Sequence, residues 1–280
     1  MRNKIAFFLS SALILLAVSG CQKMDKPELG EYATDDNQSL LPGNLRFFTS
    51  FNSTDGPSAR WNAKDSISGN PALLFPFTYA PGVNGNGIKG EDNSAILYLN
   101  ANDLKSATSF SIAFWMKNTA QVGRTEFLFS LVDDTYSGWH RSAIFLLLEN
   151  QTPTSTTMKF GLMDQWLEGT FNKPMFDGNW HHIVYSYDQT TSKMTYYFDG
   201  AVVTGLTPTQ TDVKNGANPR GAVNFSASGG FIIGGWNKHA GKAGPTDDWI
   251  KSYTGYLDQF RIYNKPLTPA EAQALYTNKQ

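Results

Sequence analysis

Acidic side chains come first, because two carboxyl groups at the right separation can divide the acid and base roles of glycoside hydrolysis. A retaining mechanism needs them about 5–5.5 Å apart. One strand can supply such a pair from positions on the same face. Glu126, Glu149 and Glu168 have no acidic residue two or four positions later. Glu91-Asp92, Asp133-Asp134 and Asp247-Asp248 are adjacent pairs, which diverge on a strand and suit loops. The sequence has no phosphate-cradling loop and no nucleophile elbow, and its one cysteine cannot build a zinc cluster. Catalysis would therefore need carboxylates brought together from distant loops, and that alternative stays open.

Tryptophans offer a different chemistry. Trp139 sits in Ser137-Gly138-Trp139-His140-Arg141, and Trp166 in Asp164-Gln165-Trp166-Leu167-Glu168. Trp236 sits in Gly234-Gly235-Trp236-Asn237-Lys238-His239, and Trp249 follows Asp247-Asp248. All four have polar or glycine-rich surroundings, as expected of loops or strand ends. An aromatic ring with a polar rim stacks on the C–H face of a sugar while its neighbours bond the hydroxyls. The expected carbohydrate-binding residues are Trp139, His140, Arg141, Trp166, Trp236, His239 and Trp249. The competing reading is that these rings cover the ends of a hydrophobic core.

The elements that would position them are mostly strands. Phe110, Ile112, Phe114 and Met116 alternate within 110–117, and Ile183, Tyr185 and Tyr187 alternate within 181–187. Ala143 to Leu148 is continuously apolar, which predicts a strand covered on both faces. Met194 to Phe198 runs into Asp199-Gly200, a hairpin-turn signal rather than an acid catalyst. Phe231-Ile232-Ile233 lies between glycines, and Tyr256 to Tyr263 reads as the last long strand. His181 and His182 are adjacent on a strand, so they point to opposite faces and cannot share one centre. Trp180 reads as a core residue. The one helix follows Thr268-Pro269-Ala270-Glu271, which has a capping threonine, proline at the first helical position and glutamate three residues after the cap. Many strands and one short terminal helix predict an all-β sandwich. No internal repeat divides it, so residues 44–280 are expected to form one domain.

The N-terminus predicts export. Arg2 and Lys4 precede an apolar run from Ile5 to Val18, too short to span a bilayer and suited to a signal peptide over residues 1–20. Val18-Ser19-Gly20-Cys21 resembles the lipobox of bacterial lipoproteins, which implies lipidation at Cys21. Residues 21–43 are polar and aperiodic, and are expected to be a tether. The implied location is the outer membrane, facing the periplasm or the cell surface. With one cysteine the chain has no disulfide to stabilise it. A formal net charge of −1 and no basic stripe argue against nucleic acid. An aromatic content of 14% against 17% charged residues argues against disorder.

Five segments in order carry a family resemblance. Phe110 to Lys117 resembles the "FTxxxWxK" strand of laminin-G-like domains, and Trp180 to Asp188 their "WHHVAxTYD" strand. Tyr197-Phe198-Asp199-Gly200, Ile233-Gly234-Gly235 and Gly255 to Thr268 are similar to the later motifs. The resemblance spans about residues 45–276. It implies a concanavalin A-like jelly roll of two antiparallel sheets. It also implies structural Ca²⁺ at Asp258, aided by main-chain groups near Asn52 and Gly90. Oxygen ligands suit that hard cation. Asp258 could instead pair with Arg261 or cap a loop. The tryptophans favour a glycan-binding module first, and the resemblance adds two alternatives. They are a glycoside hydrolase or lyase with dispersed acids, and a protein-adhesion module. The corresponding partners are a glycan, the membrane through the lipid, and proteins of a glycan-uptake or adhesion system.

Overall fold

A computed structural model describes residues 43–99 and 104–279. The expected signal peptide over residues 1–20, Cys21 and the part of the expected tether up to residue 42 lie outside the described residues. Among the described residues, no helix is long and apolar enough to cross a membrane.

Two large sheets form the body. The first has eight strands. Its main path runs β12 (Ala201–Val202), β11 (Lys193–Phe198), β10 (His181–Asp188), β5 (Phe110–Lys117), β17 (Tyr256–Tyr263), β3 (Asn86–Lys89), β2 (Thr78–Pro81). Strand β1 (Leu45–Thr49) also pairs with β17. The second sheet has seven strands. Its path is β4 (Ile96–Tyr98), β15 (Ser228–Ile233), β6 (Thr125–Asp133), β7 (Ser142–Glu149), β8 (Thr156–Leu162), β9 (Gln165–Phe171). Strand β16 (Ile250–Ser252) joins it as a parallel partner of β6. A small hairpin of β13 (Lys214–Asn215) and β14 (Asn218–Pro219) stands apart.

Period-two patterning decides which side chains meet between the sheets. Phe110, Ile112, Phe114 and Met116 of β5 join Ile183, Tyr185 and Tyr187 of β10 in the main core. Phe129, Leu131, Leu146, Leu148 and Phe160 face them from the second sheet. Asp199 and Gly200 have φ of 49° and 80°, the left-handed pair that a two-residue type I′ turn requires between β11 and β12. The C-terminal helix, α1 (Pro269–Thr277), begins in the expected capping box, with the Thr268 side chain accepting from the Glu271 amide. It covers the outer face of the first sheet through Ala272 and Leu275.

His181 and His182 do diverge. His181 stacks on Phe198 and bonds Asp199 Oδ2 at 2.8 Å and Asp177 Oδ1 at 3.1 Å. His182 is buried against Trp115. One expectation needs correcting. Trp180 is only half-buried, with its ring 6.3 Å from that of Tyr256, because it precedes β10 rather than lying within it.

Candidate functional site

The outer face of the second sheet carries a second apolar layer. Strand β7 explains why. Ile144, Leu146 and Leu148 point into the main core, while Phe145 and Leu147 point outward with Phe127 of β6. This is the strand covered on both faces, and its outer cover is aromatic.

Register builds the platform. Phe145 pairs with Gly161, and Gly161 pairs with Trp166. A Cβ on Gly161 would lie 2.1 Å from the Phe145 ring, so glycine alone lets that ring lie across β8. Trp166 then meets Phe145 edge-on at 4.9 Å. Replacing Gly161 by alanine should force Phe145 and Trp166 apart and destabilise the fold by about 1–3 kcal/mol, the usual cost of overpacking. Urea unfolding reads the loss, and a red shift in tryptophan emission reads the displaced ring.

Trp236 is the floor. It follows Gly234-Gly235 at the end of β15 and is fully buried. Its ring stacks on Phe127 at 4.1 Å and 13°, and its Nε1 donates to Ser142 Oγ at 3.0 Å. Asn237 beside it donates to Arg141 O at 2.8 Å and Ala243 O at 2.9 Å, and accepts from Ser130 and Ser142 hydroxyls. These bonds tie the Trp236 turn to β6, β7 and the 134–141 loop.

Trp139 rises from that loop onto the floor. Its ring meets Trp236 at 5.0 Å and 71°, edge to face. Trp166 lies 5.9 Å from it at 27°, and Trp249 5.8 Å at 16°. Trp139 and Trp249 are each 45% exposed, and Trp166 is half-buried. All four tryptophans singled out by the sequence therefore meet in one cluster, on a sheet face rather than at the end of the sandwich. Trp236 is beneath it and offers no surface to a ligand.

The other nominated residues hold the scaffold. His140 is buried and stacks on Tyr136 at 4.4 Å, and burial lowers its pKa. His239 accepts from the Trp236 amide at 3.1 Å, and burial pushes its pKa down to about 4. Both are neutral at pH 7. Arg141 Nη2 donates to Asp134 O at 3.1 Å, closing the loop. Phe127, Phe145 and Gly161 were missed by the sequence reading. The signal for Phe145 was its place in a two-sided apolar run.

The rim is polar. Lys159 Nζ lies 2.7 Å from Glu149 and 3.8 Å from Glu168. These two acids on the platform face share one ammonium, so they do not form an acid and base divided across an open gap. Arg220 pairs with Asp164, and Lys238 donates to Asp247 O at 2.6 Å. The Asp247 and Asp248 side chains are exposed beside Trp249.

Asp258 belongs to the other sheet. Its Oδ2 accepts from the Val83 amide at 2.8 Å and the Asn84 amide at 3.4 Å. Its Oδ1 is buried without a hydrogen-bond partner. Desolvation raises the carboxyl pKa to about 7, against the lowering effect of the loop amides. Gly82 packs on this carboxylate, Gly87 packs on the Leu257 carbonyl and the Asp258 Cβ, and Asn52 Oδ1 accepts from the Asn86 amide at 2.6 Å. Gly90 lies further along and donates to Gly255 O instead. An orphaned carboxylate oxygen beside a loop held by Asn52 fits one end of a hard-cation site. The described residues contain no group of three or more His, Cys, Asp or Glu placed for a metal, so any further ligands there would be amide or carbonyl oxygens.

The model of the concanavalin A-like lectin/glucanases superfamily matches residues 90–273. A comparison with curated proteins finds no match. Among solved structures, domain 4 of AbnA, a GH43 extracellular arabinanase from Geobacillus stearothermophilus, in complex with arabinotriose, is similar at TM-score 0.54 and 19% identity. That likeness covers 83% of this chain and 98% of that one. The Trypanosoma rangeli sialidase in complex with sialic acid is similar at 0.56 and 14%, over 83% of this chain and 32% of that one. A botulinum neurotoxin type C structure, described with cell entry dependent on two ganglioside molecules, is similar at 0.55 and 15%, over 85% and 51%. This chain thus spans about a third of the sialidase and half of the toxin chain. At these identities the likenesses establish the fold alone.

Proposed function

Because the chain belongs to the concanavalin A-like lectin/glucanase superfamily, we propose that it is a carbohydrate-binding module that holds a glycan without cleaving it. The observation that carries this reading is the convergence of Trp139, Trp166, Trp236 and Trp249 from four separate segments onto one outer sheet face. Exposed indoles over a buried aromatic floor are costly to leave in water and suited to C–H stacking. Exposed carboxylates and part-buried amines at the rim supply hydroxyl partners. The arabinotriose complex of the arabinanase domain and the ganglioside dependence of the toxin are in keeping with a glycan partner for this fold.

Two further parts belong to the proposal. Lipidation at Cys21 would anchor the module in the outer membrane, since two or three acyl chains hold stably where one does not. Ca²⁺ at Asp258 would tie β17 to the 82–86 loop in a chain without disulfides.

Affinity electrophoresis against a panel of soluble polysaccharides tests the binding. We expect at least one to retard the chain, and Trp249→Ala to weaken that retardation tenfold or more without changing the melting temperature. Undiminished binding by Trp249→Ala would remove the platform from the account. Release of new reducing ends from the bound glycan would replace binding by hydrolysis.

A further inference from the structure

Trp166 and Trp249 approach Trp139 from opposite sides. Trp166 is on β9, whereas Trp249 immediately precedes β16, and β6, β7 and β8 lie between. At about 4.8 Å per strand their backbones are about 19 Å apart. Yet both rings come within 5.9 Å of Trp139 and lie near-parallel to it. Trp139 is thus a ring held between two walls, standing on the Trp236 floor. The backbone of its loop is fastened on both flanks, with the Arg141 amide donating to Gly138 O at 3.3 Å and His140 stacked on Tyr136, and the ring meets its neighbours through aromatic contacts. Asp133 Oδ1 accepts from the Thr135 and Tyr136 amides, and Arg141 donates to Asp134 O. Gly138, directly before Trp139, lies under the Tyr136 ring.

We propose that the space between Trp166 and Trp249 is the sugar-ring subsite, that Trp139 fills it in this structure, and that its ligand is a pyranose with two apolar faces. This rests on the glycan-binding reading and deepens it. A ring stacked on both sides needs contacts of about 3.5–4.0 Å to each wall. A sugar meets that demand only if both of its faces are C–H. Pyranoses with every hydroxyl equatorial, the gluco and xylo configurations, have axial hydrogens on both faces. An axial hydroxyl, as in mannose or galactose, would turn one polar group into an indole face, where it goes unpaired. Exposed Asp247 and Asp248 beside Trp249 set the rim against anionic sugars. Filling by Trp139 lowers apparent affinity by the fraction of molecules in which the slot is open.

Calorimetry with cellohexaose, xylohexaose and mannohexaose tests this on the wild-type chain and on Trp139→Ala, Trp139→Phe, Trp166→Ala and Trp249→Ala. We expect Trp139→Ala to bind cellohexaose or xylohexaose about three- to tenfold more tightly than wild type. Trp139→Phe should fall between them, because a smaller ring plugs the slot less well, and it reports even if the alanine variant folds poorly. Trp166→Ala and Trp249→Ala should bind at least tenfold more weakly, and mannohexaose should be at least tenfold weaker than cellohexaose. If Trp139→Ala loses affinity as the wall variants do, Trp139 is itself a contact and the proposal is overturned while the glycan reading stands. Mannohexaose bound as tightly as cellohexaose would overturn the proposal in the same way. Absence of binding to any glycan by wild type and Trp139→Ala alike would bring down both.

Discussion

Trp236→Ala is expected to destabilise the fold by about 3–5 kcal/mol and to abolish glycan binding together. That range is the usual cost of truncating a buried tryptophan. The ring has no exposure, lies on Phe127 at 4.1 Å and on Phe145 at 5.3 Å, and supports Trp139 edge-on. Its removal leaves a cavity between the outer face of β6 and β7 and the turn that Asn237 pins down. It also releases Phe127 and Phe145, the rings on which the walls Trp249 and Trp166 rest. Trp249→Ala should behave differently, losing affinity but little stability, because that ring is 45% exposed. Urea unfolding of both variants separates the roles. A loss below about 1 kcal/mol for Trp236→Ala would mean that the floor collapses cheaply and does not organise the cluster.

Calcium and pH should act on one carboxylate with opposite effects. Asp258 has a pKa of about 7 in the folded metal-free chain, against 3.8 for an ordinary aspartate. The folded state therefore holds its proton more tightly than the unfolded state. Its contribution to stability is full below pH 3.8, is lost as pH rises to about 7, and is level beyond. At 1.36 kcal/mol for each pH unit the loss is at most on the order of 4 kcal/mol. His182 opposes it, since burial depresses its pKa to about 3 and its contribution is lost as pH falls. The Asp258 effect is therefore read as the difference between wild type and Asp258→Asn, which should shrink in wild type's favour only toward acid pH. At pH 7.5, Ca²⁺ at a hundred times its dissociation constant would add about 2.7 kcal/mol. In a domain of this size that raises the melting temperature by roughly 5–10 °C. Asp258→Asn should lose most of the rise. An identical melting temperature in wild type with calcium and with chelator would remove the cation from this site.

Much of the frame was legible from local chemistry. Phe110 to Lys117 and Tyr256 to Tyr263 are strands with the bounds that their residue types predict, since alternation and flanking turn residues are encoded within a few positions. The Asp199-Gly200 turn and the Thr268 cap are equally local. Trp180 departs from this because a family-like motif says which residue type recurs and not how deep its side chain sits.

The amino-acid order by itself determined a two-sheet β fold, the turn between β11 and β12, the terminal helix and the four tryptophans worth watching. Only the tertiary structure decided that those rings meet. They span more than a hundred positions, and their meeting depends on the pairing of β6 to β9 and on the missing side chain at Gly161. It also decided that Trp236 lies beneath, that Trp139 stands between two walls, and that Asp258 meets amides some 175 residues away. The reason is physical: periodicity and capping are short-range and repeat along a chain. Depth and ring-on-ring contact depend on which distant strand lies alongside, and no local window contains that information.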